Sequence, residues 1–215
     1  MASRTVSQRI LLTLGLFALI IVSLIPSPAQ AKSQNYDLAP TEFSIFVQSV
    51  INGNANELRG VYAPGVMALP IVQQPNGNPG FVSRADETLT QFGMANAFGN
   101  IGLLAHNTLA GKYFSSLAPG QLVYLIYGNG EIKTFIVAKA LRFQAHEPNN
   151  PYSFFTDLDS GLTYSAEEVF RQVYTGDYHV TFQTCIANGD ELSWGRLFVI
   201  AIPLTQYFTS AQSAQ

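Results

Sequence analysis

The chain has little charge. Only 12% of its 215 residues are Asp, Glu, Lys or Arg, against 47% hydrophobic. That proportion supplies a sizeable core and argues against disorder. Positive charge is the scarcer kind, with 11 Lys and Arg against 14 Asp and Glu. No basic cluster occurs, so the chain is a poor candidate for binding nucleic acid or anionic lipid. There is one long hydrophobic run and no second, and no repeat or low-complexity tract. Cysteine occurs once, at Cys185, so no intrachain disulfide can form.

The hydrophobic run reads as an export signal. Arg4 and Arg9 precede it, Ile10 to Ile25 is apolar almost throughout, and Pro26 and Pro28 end it. Ala29-Gln30-Ala31 then places small residues where a signal peptidase reads them. The run is slightly short of the roughly 20 residues of a membrane span. Residues 1–31 are therefore expected to be a cleaved signal peptide or a retained signal-anchor. Either places the rest of the chain outside the cytoplasmic membrane, in the cell envelope or secreted. Exported proteins usually pair their cysteines. A lone one is an inert buried residue or a free thiol kept for chemistry.

After a linker to Pro40, Thr41 can cap a helix in which Phe43, Phe46, Val47 and Val50 recur at helical spacing and Gly53 suits the exit. The rest is mostly β. Gln73 to Gly80 is turn chemistry throughout. Gln121 to Tyr127, Gly128-Asn129-Gly130 and Glu131 to Phe143 make a hairpin. Ser165 caps a short helix with Glu167 and Glu168 in its first turn. Tyr178 to Cys185 and Trp194 to Pro203 read as the last strands. Many short strands separated by turns predict a mainly β chain, a barrel or sandwich with helical decoration. The expected units are a linker and N-terminal helix over 32–56, one β domain over 57–205, and a polar tail over 206–215.

Cys185 is expected to end a strand, before the turn-prone Ile186-Ala187-Asn188-Gly189-Asp190. Strand ends beside loops are where a scaffold presents reactive groups. A thiol nucleophile needs its thiolate stabilised by a nearby cation or base. Of three histidines, His179 lies six residues earlier on the expected Cys185 strand, about 20 Å away and out of reach. His146 falls at a frayed strand end. His106 closes the run from Asn100 and is the remaining candidate. Arg196 enters an otherwise apolar strand, where a guanidinium needs a partner or a site. Across an antiparallel pair it can lie beside Cys185. The alternative is a salt bridge to Asp190 or Glu191.

The segment Thr181-Phe182-Gln183-Thr184-Cys185, with Arg196 eleven residues on, resembles the sortase signature. The stretch from His106 through Gly111 to Val123 is similar to the segment around the sortase histidine, and Ala68-Leu69-Pro70-Ile71-Val72 resembles an early barrel strand. The resemblance covers about Gly60 to Pro203. It implies a closed β-barrel of about eight strands with short helices and an N-terminal helix. It implies a cysteine transpeptidase in which Cys185 forms a thioester with a sorting-signal peptide. His106 would then serve as acid and base, and Arg196 would stabilise the oxyanion. Thr184, Asn107 and Ala105 would line the substrate site. The acyl group would pass to an amine on cell wall or pilin, or to water. The cytoplasmic membrane is a further partner if the N-terminal segment stays.

No metal or other cofactor is expected. Some sortases bind calcium, however, and Glu147, Asp157, Asp159, Glu167 and Glu168 offer acids for it. Four family positions differ: Ala105 and Asn107 flank the histidine, Gln121 stands where an acid is common, and Phe182 replaces leucine. Rival readings are an exported non-catalytic β-barrel binding module, or another exported cysteine enzyme such as an L,D-transpeptidase. The latter usually carries Ser-His-Gly-Cys-x-Arg, and here Phe182-Gln183-Thr184 precedes Cys185 with no arginine two residues on.

Overall fold

The computed structural model of the chain describes residues 41–213, with side chains as far as 209. The expected signal or anchor over 1–31 and the linker up to Pro40 lie outside the described residues. Helix α1 is Glu42–Val50, capped by the Thr41 side chain, which accepts the Ser44 N–H.

Strands β1 (Leu58–Ala63) and β2 (Met67–Gln73) form a hairpin, and β2 buries every second side chain. That alternation is what a sheet with one core-facing side requires. Strand β3 (Leu89–Phe92) runs parallel to β2, and a single helical turn, α2 (Gly93–Asn96), leads to β4 (Ile101–Leu104). A 3-10 helix, Ala110–Ser116, precedes β5 (Leu122–Tyr127) and β6 (Ile132–Ala145), the hairpin expected at Gly128-Asn129-Gly130. Short strands β7 (Phe155–Asp157) and β8 (Thr163–Tyr164) follow. Helix α3 (Ala166–Tyr174) starts with a reciprocal capping box between Ser165 and Glu168. Strands β9 (Val180–Asn188) and β10 (Glu191–Pro203) come last, then helix α4 (Leu204–Ser213).

The strands follow the order β10-β9-β4-β3-β2-β1-β5-β6, and β6 pairs back onto β10. The sheet therefore closes into an eight-stranded barrel, with β7 and β8 added to β6 outside the ring. Closure removes the open edges that would template aggregation. Val61, Leu103, Phe114, Leu125, Phe135, Phe182 and Val199 fill the interior. Phe143, Phe155, Val173, Tyr174, Phe198 and Ile200 form a second apolar layer between the outer face and α3.

Two details differ from the sequence reading. The polar tail forms α4, which lies against β6 and β10; its Ala and Gln residues are helix-compatible. Strand β9 does not end at Cys185 but runs three residues further, paired with β10 up to a tight turn at Gly189, where φ is +59°.

Candidate active site

Strand β9 lies between β4 and β10, and its register positions the site. Across the antiparallel pair, Arg196 is directly opposite Cys185. Across the parallel pair, Leu104 is opposite Gln183. His106 is two residues past Leu104 and Cys185 two past Gln183. Carrying the register forward brings His106 level with Cys185, about 5 Å away at the spacing of neighbouring strands. The sides agree as well. Val180 and Phe182 face the interior, as do Leu103, Ala105, Leu197 and Val199. By alternation Cys185, His106 and Arg196 face outward. By this register the three fall in one row, Cys185 on β9, Arg196 on β10 and His106 two residues past the end of β4, each half-buried.

The segment carrying His106 is pinned from several sides. The Ala105 N–H donates to the Gln183 carbonyl at 3.3 Å, extending the ladder one residue past β4. The Thr184 hydroxyl donates to the Ala105 carbonyl at 2.9 Å. The His106 carbonyl accepts from the N–H groups of Leu109 (3.0 Å) and Gly111 (2.9 Å). The Asn107 amide donates to the Leu192 carbonyl at 2.8 Å, tying the histidine segment to β10. Gly111 sits so close that a Cβ there would lie 2.2 Å from the Thr184 hydroxyl and 2.7 Å from the His106 carbonyl.

Cys185 is thus not at a strand end in the sense expected, because β9 continues along β10. It lies where β9 loses its other neighbour, since β4 stops two residues before the level of Cys185. The opening comes from the shortness of β4 and not from a loop after Cys185. Thr184 is a correction too. It is buried and faces the interior, so it holds the His106 segment and does not line the outer row. Ala105 is buried beside it, and Asn107 serves as a tie.

Arg196 makes no salt bridge to Asp190 or Glu191. Its Nη1 donates to the carbonyls of Ser193 (2.8 Å) and Gly195 (2.9 Å), and its Nη2 to that of Pro148 at 3.0 Å. The guanidinium lies 5.9 Å from the Phe155 ring centre. Pro148 and Phe155 are contacts that sequence reasoning missed, because the 146–154 loop comes back to Arg196 only through the pairing of β7 with β6.

The other histidines are placed elsewhere. His179 precedes β9 and is buried, with its ring nitrogens 2.6 Å from the Asp177 carbonyl and 2.9 Å from that of Val173. His146 is exposed, with Nε2 2.8 Å from the Thr156 hydroxyl. The His106 ring has no hydrogen bond or ion pair with any described residue and lines an open pocket of about 390 Å³. Tyr174, the last residue of α3, donates to the Gln183 amide on the same outer face as Cys185, and burial pushes its phenol well above the ordinary range.

The acids noted for calcium all have local partners. Asp159 pairs with Arg142 at 2.6 Å and Glu167 with Arg171 at 2.6 Å. Asp157 accepts the N–H groups of Asp159 and Ser160. Glu168 closes the α3 cap and Glu147 accepts from Asn150. Among the described residues no three His, Cys, Asp or Glu side chains come together as a metal-binding group.

No family model and no curated protein matches the chain. Solved structures similar to it are sortases. Sortase A of Listeria monocytogenes is 14% identical, over 71% of this chain and 88% of that one, with a TM-score of 0.44. Sortase C of Clostridium perfringens SM101 is 14% identical over 70% and 71%, with a TM-score of 0.41. A second structure of the Clostridium perfringens sortase C, 15% identical over 70% and 72% with a TM-score of 0.42, holds the C-terminal cell wall sorting motif. At such identity and overlap these likenesses carry no statement about chemistry. The barrel closure stands on the chain's own strand pairings.

Proposed function

We propose that the chain is an exported cysteine transpeptidase of the sortase type, with Cys185 as nucleophile, His106 as acid and base, and Arg196 as electrostatic partner. The observation that carries this is the pairing of Arg196 with Cys185 together with the β4–β9 register, which brings His106 level with Cys185.

Each place in the row suits its chemistry. Sγ of Cys185 attacks a peptide carbonyl, and the developing oxyanion needs donors beside the sulfur. A guanidinium has five N–H donors. Three of those on Arg196 are taken by the carbonyls of Ser193, Gly195 and Pro148, which leaves two for an oxyanion or a substrate carbonyl. When the tetrahedral intermediate collapses, His106 protonates the departing amine and the acyl group stays on sulfur as a thioester. An incoming amine then gives its proton to His106 and takes the acyl group. The His106 ring, without a partner among the described residues, is free to do both. The substrate in this reading is a C-terminal sorting motif, and the acceptor is an amine at the cell surface.

A non-catalytic barrel is the second reading. It gains support from Arg196, because three carbonyl bonds explain a structural clamp without any chemistry. Thiol reactivity separates the two. Incubating the protein with a peptide library and following adducts by mass spectrometry should reveal an acyl group on Cys185 that Cys185→Ala abolishes. A native thiol inert to a methanethiosulfonate reagent, together with the absence of any such adduct, would sink the enzyme reading.

A further inference from the structure

His106 has two open sides. Cys185 lies toward β9. Toward β3 is the open pocket of about 390 Å³, which His106 lines together with Asn78, Gly80, Phe81, Val82 and Arg84. Its wall is the segment that joins β2 to β3, and side-chain bonds hold that segment. Gln74 donates to the carbonyls of Pro79 (2.8 Å) and Phe81 (3.0 Å). The buried Ser83 donates its N–H to the Thr90 hydroxyl at 2.8 Å.

Arg84 differs from the other arginines among the described residues. Arg59 pairs with Glu57, Arg142 with Asp159 and Arg171 with Glu167, and Arg196 is held by three carbonyls. Arg84 has no ion pair or hydrogen bond with any described residue, although Asp86 and Glu87 follow it closely in sequence. A guanidinium presents a planar fork that fits a carboxylate through two parallel bonds. Here that fork stands uncommitted in the pocket that His106 opens onto.

We infer that this pocket admits the acceptor of the acyl transfer, and that Arg84 selects amines carrying a carboxylate close to the nitrogen. This rests on the transpeptidase reading. The acceptor must reach the thioester past His106, because its nitrogen gives up a proton there. A plain alkylammonium would meet the like charge of Arg84. An amino-acid-type acceptor places its carboxylate on Arg84 and its nitrogen toward His106, with Phe81 and Val82 as an apolar wall. The nearby cation also favours the neutral amine over the ammonium, and the neutral amine is the form that attacks. In the step itself the amine nitrogen bonds to the thioester carbon and the C–S bond breaks. The amine proton passes to His106, which returns it to the departing thiolate of Cys185.

The test bypasses the unknown sorting motif. The full chain is acylated with p-nitrophenyl acetate, and the burst of p-nitrophenolate reports acetyl-Cys185. Deacylation is then followed with glycine or glycinamide at equal free-amine concentration. Glycine should be faster by about fivefold, the scale of one charge-assisted contact at an exposed site. In Arg84→Gln the ratio should fall to within about twofold. Equal rates in the native chain, or a preference that survives Arg84→Gln, would overturn the inference. A missing burst, or one that persists in Cys185→Ala, counts against the transpeptidase reading instead. In that event an NMR titration still tests the pocket. Glycine, and not glycinamide, should shift the Arg84 Nε–H and His106 ring signals saturably, and equal shifts from both would overturn the ligand class.

Discussion

His106 and His179 stand beside opposite ends of β4 and have opposite surroundings. His179 is covered by α3, and both its ring nitrogens face backbone carbonyls. His106 is half-buried, is bonded among the described residues only through its backbone, and opens onto a pocket. The sheet beneath them is the same. Over its first half the outer polar groups are tied to α3, with Thr181 donating to the Val173 carbonyl and Gln183 accepting from Tyr174. Two residues after Gln183 the cover ends and Cys185 follows. One strand thus carries a structural half and a half available for chemistry. The boundary is set by where β4 stops and where α3 ends.

The largest expected effect exchanges the two histidines' phenotypes. Cys185→Ala and His106→Ala should each lower acyl transfer by at least about 10³-fold, as loss of a nucleophile or its base does in other enzymes. Their thermal midpoints should stay near that of the native chain, because neither ring nor thiol is tied to a partner among the described residues. His179→Ala should do the reverse. It removes a buried ring and its hydrogen bonding with the Val173 and Asp177 carbonyls and should cost about 2–4 kcal/mol of unfolding free energy, while Cys185 still labels with a methanethiosulfonate reagent in the folded protein. Paired denaturation and labelling curves check both. A stable His179→Ala chain with an unreactive thiol would break the contrast.

The next effect is on the hinge of the open half. Gly111→Ala would set a methyl 2.2 Å from the Thr184 hydroxyl, with the His106 carbonyl at 2.7 Å. No flexible side-chain end is there to yield, so overpacking should cost about 1–3 kcal/mol. Acyl transfer should fall by more than the stability loss explains, because the histidine segment must shift. Unfolding free energy and transfer rate, measured on the same sample, separate the two losses.

The hairpin at Gly128-Asn129-Gly130, the Thr41 and Ser165 caps and the last two strands were legible because each has a local cause in turn or cap chemistry. The pairing of Arg196 with Cys185 was legible because an antiparallel hairpin fixes its own register. The parallel pairing of β4 with β9 was not, since nothing local specifies which strands become parallel neighbours. The fates of His179 and Thr184 were hidden for a related reason. His179 depends on α3 folding over it, and the inward turn of Thr184 depends on the parity of β9. Arg84 gave no signal at all in the sequence. It matters only because the β2–β3 segment returns beside His106.

A milder probe acts on the covered half. Tyr174→Phe removes the donor to Gln183 and keeps the ring against Phe92 and Phe198. The Gln183 amide oxygen then loses its partner, at a cost of about 1 kcal/mol. Acyl transfer should hardly change if the boundary between the halves is real. A rate loss larger than the stability loss would show that α3 reaches through Gln183 to Cys185.

The smallest expected effect concerns the loop that carries Phe155 to Arg196. The Asp157 carboxylate accepts the Asp159 N–H at 2.8 Å and the Ser160 N–H at 3.2 Å. Those bonds, the one from Asp159 foremost, hold its carboxyl below the ordinary value, with Arg142 adding a weaker pull in the same direction. A carboxyl whose folded-state value is depressed binds protons less readily folded than unfolded. Its stabilisation is therefore complete above the unfolded value near pH 4 and is lost as pH falls through the folded value. Because the group is only half-buried and its bonds lie at the surface, the contribution should stay under about 1 kcal/mol. Asp157→Asn should accordingly lower the thermal midpoint slightly at pH 7, and the gap from the native chain should close below about pH 4. If the loop holds Arg196 in place through Pro148 and Phe155, acyl transfer by Asp157→Asn should fall alongside stability at pH 7. An unchanged rate at a lowered midpoint would mean that β10 alone positions Arg196, and the structural half would then end at β6.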